Sequence, residues 1–280
     1  MYNELLLDLP TDAGIDWNVP LEILGLGDAY RSEAPDETAL EYLLGGTGNH
    51  PSLLMSVRLA RENARTTRDV LPSEAWQAMN EMHLFVERNL AAASRKPVTG
   101  VTGEIIRRSH EITGIIEGGM SRGPAYYFVR LGRLSERADM TSRMIDVAAA
   151  TMLTGREEIR HYASTIWRGV LRAMTAYQMY RQHVRRRILG EDVVAFLLLN
   201  HDFPRSVTHC VMQLDYAAAH LPRSGAARNK IARLRYELAG VQLEGINHER
   251  VHRLADELQV ELAELNEIVF DTWLNPVRIP

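Results

Sequence analysis

The sequence predicts an all-α protein, a helical bundle of about ten helices. Three observations predict it. Ala, Leu, Glu and Arg abound while Gly and Pro are few and aromatics make up only 7%, a balance that favours helices over strands. Apolar residues recur three and four apart, and no segment alternates strictly. Pro, Gly and cap-forming side chains break the pattern at helix-length intervals. The 280 residues are 46% apolar and 24% charged, enough to bury a sizeable core, which excludes disordered, collagen-like and peptide-scaffold classes.

A Pro/Gly/Asp-rich opening runs to about Ser32. Asp36 then caps a short helix ending at Gly45-Gly46, since its carboxylate accepts from free first-turn amides and glycine tolerates the left-handed exit. Pro51, which loses nothing at a first helical position, starts the next helix, to about Val70. Pro72 ends that one and Ser73 caps its successor, Glu74 to about Ala93. Long helices follow near 102–117, 124–152, 156–188, 191–199, 204–220, 225–240 and 247–273. Arg185-Arg186-Arg187 falls at an expected helix C-terminus, where cations complement the dipole. Gly45-Gly46-Thr47-Gly48 lacks the Lys and Ser/Thr of a phosphate loop and reads as a turn.

The 124–152 helix is the most informative. Tyr127, Leu131, Leu134, Ala138, Thr141, Ile145, Ala148 and Met152 form one mostly apolar stripe that must face neighbouring helices. Its edges carry Arg130, Arg133, Glu136, Arg137, Asp139, Arg143 and Asp146, spaced for the pairs Arg133/Glu136, Asp139/Arg143 and Arg143/Asp146.

A weak internal repeat accompanies this pattern. Tyr42-Leu43-Leu44 with Asn49-His50-Pro51-Ser52 and on to Ala64 parallels Phe196-Leu197-Leu198 with Asp202-Phe203-Pro204-Arg205 and on to Ala217, an offset of 153 residues when Pro51 is set on Pro204. Residues 1–280 are therefore expected to form one domain of two related halves, about 1–120 and 121–280. The counterpart of the 124–152 helix would precede Met1, so the first half is expected to lack its opening helix. That would expose an apolar stripe along roughly 52–70 and favour self-association.

The charge balance, 32 basic against 36 acidic, offers no global field for a polyanion, so nucleic acid is not an expected partner. All basic residues but Lys96 and Lys230 are Arg. Cys210 is the single cysteine, which excludes an internal disulfide and a Cys-cluster zinc site. The N-terminus lacks a secretory pattern, and the longest apolar run, Val193 to Leu199, is too short for a bilayer, so a cytoplasmic location without membrane contact is expected.

Gly132 lets a ligand or backbone approach beside Arg133, Glu136 and Arg137. A second mid-helix cluster, Arg61-Glu62-Asn63-Ala64-Arg65, is expected to face it across a groove, with Asp139, Arg143 and His110 contributing. Charges buried there would need pairing or a bound carboxylate or phosphate. In a catalytic version Glu136 or Glu62 is the general base, and Arg133, Arg137 and Arg61 hold an anionic substrate. In a third reading the charges only set helix register. A dinuclear metal alternative rests on two Glu-x-x-His pairs, Glu158/His161 and Glu249/His252. It is the weaker reading because two such pairs are about what chance supplies, and of the acids that could complete the set Glu117 and Glu136 are awkwardly spaced, with Asp215 the only well-spaced one before the second pair. No cofactor is expected.

The run Phe128-Val129-Arg130-Leu131-Gly132-Arg133-Leu134-Ser135-Glu136-Arg137-Ala138-Asp139-Met140, with Arg143 and Asp146 beyond it, is similar to the Glu-Arg signature helix of the alpha-E family of bacterial all-helical proteins. Pro51-Ser52 leading to Ala60 through Arg65, Arg108-Ser109-His110, and Phe196-Leu197-Leu198 through Phe203-Pro204-Arg205-Ser206-Val207 extend the resemblance over nearly the whole chain. Family members usually begin with an additional helix whose end resembles Asn3 to Pro10, and commonly carry an acidic pair where this chain has Gly123-Pro124. The resemblance singles out Arg133, Glu136, Arg137, Asp139, Arg61, Glu62 and Arg65. It also implies a context, since such proteins accompany ATP-grasp peptide-ligase-like and transglutaminase-like proteins. The expected role is therefore an accessory or binding protein of an ATP-grasp-type amide ligase.

Overall fold

A computed structural model describes residues 18–33, 38–45, 52–90, 98–154 and 162–275, among which there are thirteen α-helices and no strand. The helices are α1 (Asn18–Ile23), α2 (Gly27–Glu33), α3 (Ala39–Gly45), α4 (Leu53–Thr66), α5 (Ser73–Leu90), α6 (Val98–Gly119), α7 (Pro124–Thr154), α8 (Ala163–Ala173), α9 (Tyr177–His183), α10 (Gly190–Leu199), α11 (Val207–Ala219), α12 (Gly225–Ala239) and α13 (His248–Val269). A short π-helix, Phe270–Leu274, continues α13. The chain forms two compact units, Gly25–Tyr126 and Met1–Leu24 with Tyr127–Pro280.

In the Gly25–Tyr126 unit α3 packs on α4, α4 on α5 and α5 on α6. Val57, Ala78, Met82, Val86, Val101, Ile105 and Ile112 form its core, one apolar face contributed by each of three helices. The expected apolar stripe along 52–70 is therefore not left open. Val57 and Ala64 are buried, and Leu59 and Val70 are the large apolar side chains exposed there.

The other unit buries more bulk. Trp167, Tyr180, Ile145, Met152, Leu171, Leu197 and Leu214 are all fully buried. Here α10 packs on α8 and α11, α11 on α12 and α12 on α13. Gly190, at the start of α10, lies against the indole of Trp167, and a Cβ at this position would sit 2.6 Å from its Nε1.

Several boundaries differ from expectation for local reasons. The opening segment includes α1 and α2, because Leu21, Ile23 and Leu26 find burial despite the surrounding Gly and Asp. Asp36 lies outside the described residues, and Thr38 caps α3 in a reciprocal box with Glu41: the Glu41 carboxylate accepts from the Thr38 amide at 3.0 Å, and the Thr38 hydroxyl accepts from the Glu41 amide at 3.2 Å. Pro51 also lies outside the described residues; Ser52 caps α4, accepting from the Met55 amide, as Ser206 caps α11, accepting from His209. The caps thus differ in spacing from their prolines by one residue, Arg205.

The helix expected over 156–188 is two helices, α8 and α9. Thr175 between them has φ of 54°, a left-handed exit that the sequence did not flag because no glycine supplies it. Arg185 to Arg187 follow α9 in a connector, and Arg186 pairs with Asp192 in the first turn of α10.

Candidate functional site

All eight residues of the predicted α7 stripe, Tyr127 through Met152, are buried. With the stripe fixed inward, helical geometry sends Gly132, Glu136, Asp139 and Arg143 to one outer side and Ser135, Ser142 and Asp146 to the margins. Polar groups of the stripe and its margins tie α7 to its neighbours. The Ser135 hydroxyl lies 2.5 Å from Asn266 Oδ1 of α13, the Thr141 hydroxyl donates to the Arg205 carbonyl at 2.8 Å, and Arg130 donates to Gln213 of α11. Tyr127 stacks on His220, with ring centroids 4.2 Å apart.

Of the three expected pairs on α7, one forms: Arg143 Nε is 2.7 Å from Asp139 Oδ2. Arg133 and Glu136 form no ion pair, although Arg133 and Arg137 both have partners. Asp146 turns away from Arg143 and accepts from His252 Nδ1 and from Gln259 Nε2, the latter at 3.1 Å.

Glu136 is the unusual group of the outer side. It is solvent-accessible, yet partial loss of hydration and the negative charge of Asp139 push its carboxyl above the ordinary range against the opposing pull of Arg143. One turn before it, Gly132 is exposed, and the space above its Cα is open for at least 4 Å. Inward of this surface, Arg137 and Arg205 flank the Cys210 thiol. Burial pushes that thiol up to about 11, outweighing both guanidinium groups.

The second expected cluster lies in the Gly25–Tyr126 unit and is satisfied inside it. Arg61 donates from Nε to Asn80 Oδ1 at 2.8 Å, with its guanidinium 5.6 Å from the Trp76 ring centre. Arg65 grips Glu62 at 2.8 and 2.5 Å, a bidentate contact that lowers the Glu62 carboxyl. On α6, Arg107 and Arg108 both reach Glu104, which they hold at about 2, and His110 is exposed.

The metal-pair residues separate. Glu158 and His161 lie outside the described residues. Glu249 faces Arg253 at 3.2 Å, whereas His252 reaches Asp146 and lies 3.9 Å from Asp256 through Nε2. Of the further acids weighed, Asp215 is taken by Arg228 and Arg235, and Glu117 accepts from the Tyr126 hydroxyl.

Sequence reasoning missed Asp256, Gln259 and Asn266. The four-residue step from His252 to Asp256 was legible; the approach of α7 to α13 was not. It also missed a cleft of about 550 Å³ between α11 and α12, lined by His201, Thr208, Met212, Arg235 and Tyr236 among others. None of the predicted residues lines it.

One family model matches the chain, over residues 1–274: Alpha-E, described as "a predicted alpha-helical domain with a conserved ER motif". Glu136-Arg137, in the middle of α7, is such a pair. No curated protein and no solved structure matches. Among the described residues no helix is long and apolar enough to cross a membrane.

Proposed function

This chain belongs to the Alpha-E family, and from that premise we propose that it is a cytoplasmic accessory protein of a bacterial ATP-grasp-type amide ligase. It docks the ligase, or the peptide the ligase modifies, on the outer side of α7, and a transglutaminase-like protein is a second partner in the same peptide-modification system. The observation that supports this reading is the state of Glu136. An accessible carboxyl that has lost hydration, and that among the described residues forms no ion pair beyond the longer-range pull of Arg143, is under-satisfied, and an ammonium, guanidinium or amide N–H from a partner satisfies it. Gly132 leaves room for that backbone to approach, and the Asp139–Arg143 pair one turn on presents a guanidinium edge to a carboxylate. The raised carboxyl also favours a second reading, in which Glu136 is the general base of a reaction on the bound peptide.

The test is calorimetric titration of the chain with an ATP-grasp ligase from the same genome, using wild type, Glu136→Gln and Gly132→Gln, each with its unfolding midpoint. The expected result is binding by the wild type and at least about tenfold weaker binding by both variants, with midpoints unchanged. Ligase binding that is equal in all three overturns the docking site. Intact binding with lost turnover in Glu136→Gln alone selects the catalytic reading.

A further inference from the structure

We propose that Asp146, His252 and Asp256 form a mononuclear site for a divalent transition-metal ion of the zinc type, independent of the docking surface on α7. One ligand atom from each residue lies within 4.8 Å of the others. The arrangement is ordered rather than merely crowded. A carboxylate only accepts, so the contact of Asp146 Oδ1 with His252 Nδ1 places the ring proton on Nδ1 and leaves a lone pair on Nε2. The other Asp146 oxygen accepts from Gln259, which fixes the carboxylate in turn. Nε2 faces Asp256 Oδ2, one helical turn along α13, at 3.9 Å, and both side chains are open to solvent, at 40 and 58% exposure. This is the arrangement in which a carboxylate orients a histidine whose far nitrogen binds metal.

The surroundings also select for a cation. Several carboxylates elsewhere in this arginine-rich chain meet guanidinium groups: Glu62 meets Arg65, Glu104 meets Arg107, Asp215 meets Arg228. Here the two nearest arginines in sequence are already taken, Arg143 by Asp139 and Arg253 by Glu249. Two carboxylates therefore converge on one imidazole with no arginine or lysine bonded to either among the described residues. An imidazole nitrogen beside carboxylate oxygen suits zinc, cobalt or manganese and disfavours calcium and magnesium, which prefer all-oxygen sets. His252 and Asp256 are the ligands, Asp146 is the positioning residue, and water fills the remaining positions. The site shares only His252 with the Glu249/His252 pair expected from sequence.

The test is titration of the full chain with zinc alone at pH 7.5, followed by calorimetry and checked with the visible spectrum of cobalt. The expected result is one equivalent bound. Binding falls at least about fiftyfold in Asp256→Asn, an exposed change that leaves the fold intact, and in His252→Ala; it falls about 10- to 100-fold in Asp146→Asn. Glu249→Gln and His110→Ala bind as the wild type does. A folded wild type that takes up no zinc at 100-fold excess overturns the proposal. So does uptake unchanged in Asp256→Asn or Asp146→Asn, which assigns the ion to other histidines of the chain.

Discussion

The two units hold their charged groups in different ways. In Gly25–Tyr126 the described side-chain contacts are local: Arg65 with Glu62, Arg107 with Glu104, and at most the step from α4 to α5 that joins Arg58 to Glu87, 29 residues apart. In the other unit α7 is tied to helices far along the chain, by Ser135 to Asn266 across 131 residues and Asp146 to Gln259 across 113. Lys230 of α12, one of only two lysines, is buried between Glu261 and Glu264 of α13, at 2.6 and 2.5 Å. Burial works against that ammonium, but the two carboxylates hold it above its ordinary value. The same residue types therefore make mostly short-range, solvated pairs in one unit and, alongside such pairs, long-range buried joints in the other, and the deciding factor is whether a neighbouring helix removes the pair from water.

Three substitutions probe this contrast. The largest effect is expected from Gly190→Ala, which drives a methyl into the buried Trp167 indole and costs about 2 kcal/mol in urea unfolding. A change below about 0.5 kcal/mol would mean that the tight joint between α8 and α10 yields. Asp146→Asn is intermediate and depends on pH. The hydrogen bond that His252 donates to Asp146 raises the His252 pKa, opposed by burial and aided by the charges of Asp146 and Asp256. The raised imidazole adds stability that is fully present below its ordinary value near 6.5 and is lost as pH rises through the higher folded value. With chelator present, the variant should lose about 1 kcal/mol at pH 5.5, an amount limited by solvent at this partly open site, and approach the wild type by pH 9. A loss independent of pH would assign the joint to shape rather than charge. Glu62→Gln is the smallest: its pair with Arg65 is solvated, so the urea midpoint should not move at moderate salt. A clear drop would make the local face structural after all.

What sequence could and could not supply follows the same division. The α7 stripe was legible to the last residue because a 3.6-residue period is a local property. The Asp139–Arg143 pair was legible for the same reason. Asp146 was assigned to Arg143, three residues away, because the competing His252 lies 106 residues further on and only packing brings it near. The break at Thr175 was hidden because a β-branched residue rarely takes a left-handed turn, and here the burial of Ala173, Met174 and Ala176 around it enforces one. The Glu136 signature was visible as a motif, but its want of an ion pair with Arg133 was not, since Arg133 stands at ideal spacing and only the packed helices decide which groups it meets.

The Cys210 thiol carries a practical consequence. It is fully buried, and a value of about 11 leaves roughly one thiolate per thousand molecules at pH 8. Alkylation at that pH must therefore wait for the core around α11 to open. As the chain contains one cysteine, each molecule can be modified only once, and where alkylation outpaces reclosing each modification records one opening. Without any engineered label, the rate of maleimide uptake at saturating reagent reports how often this core opens.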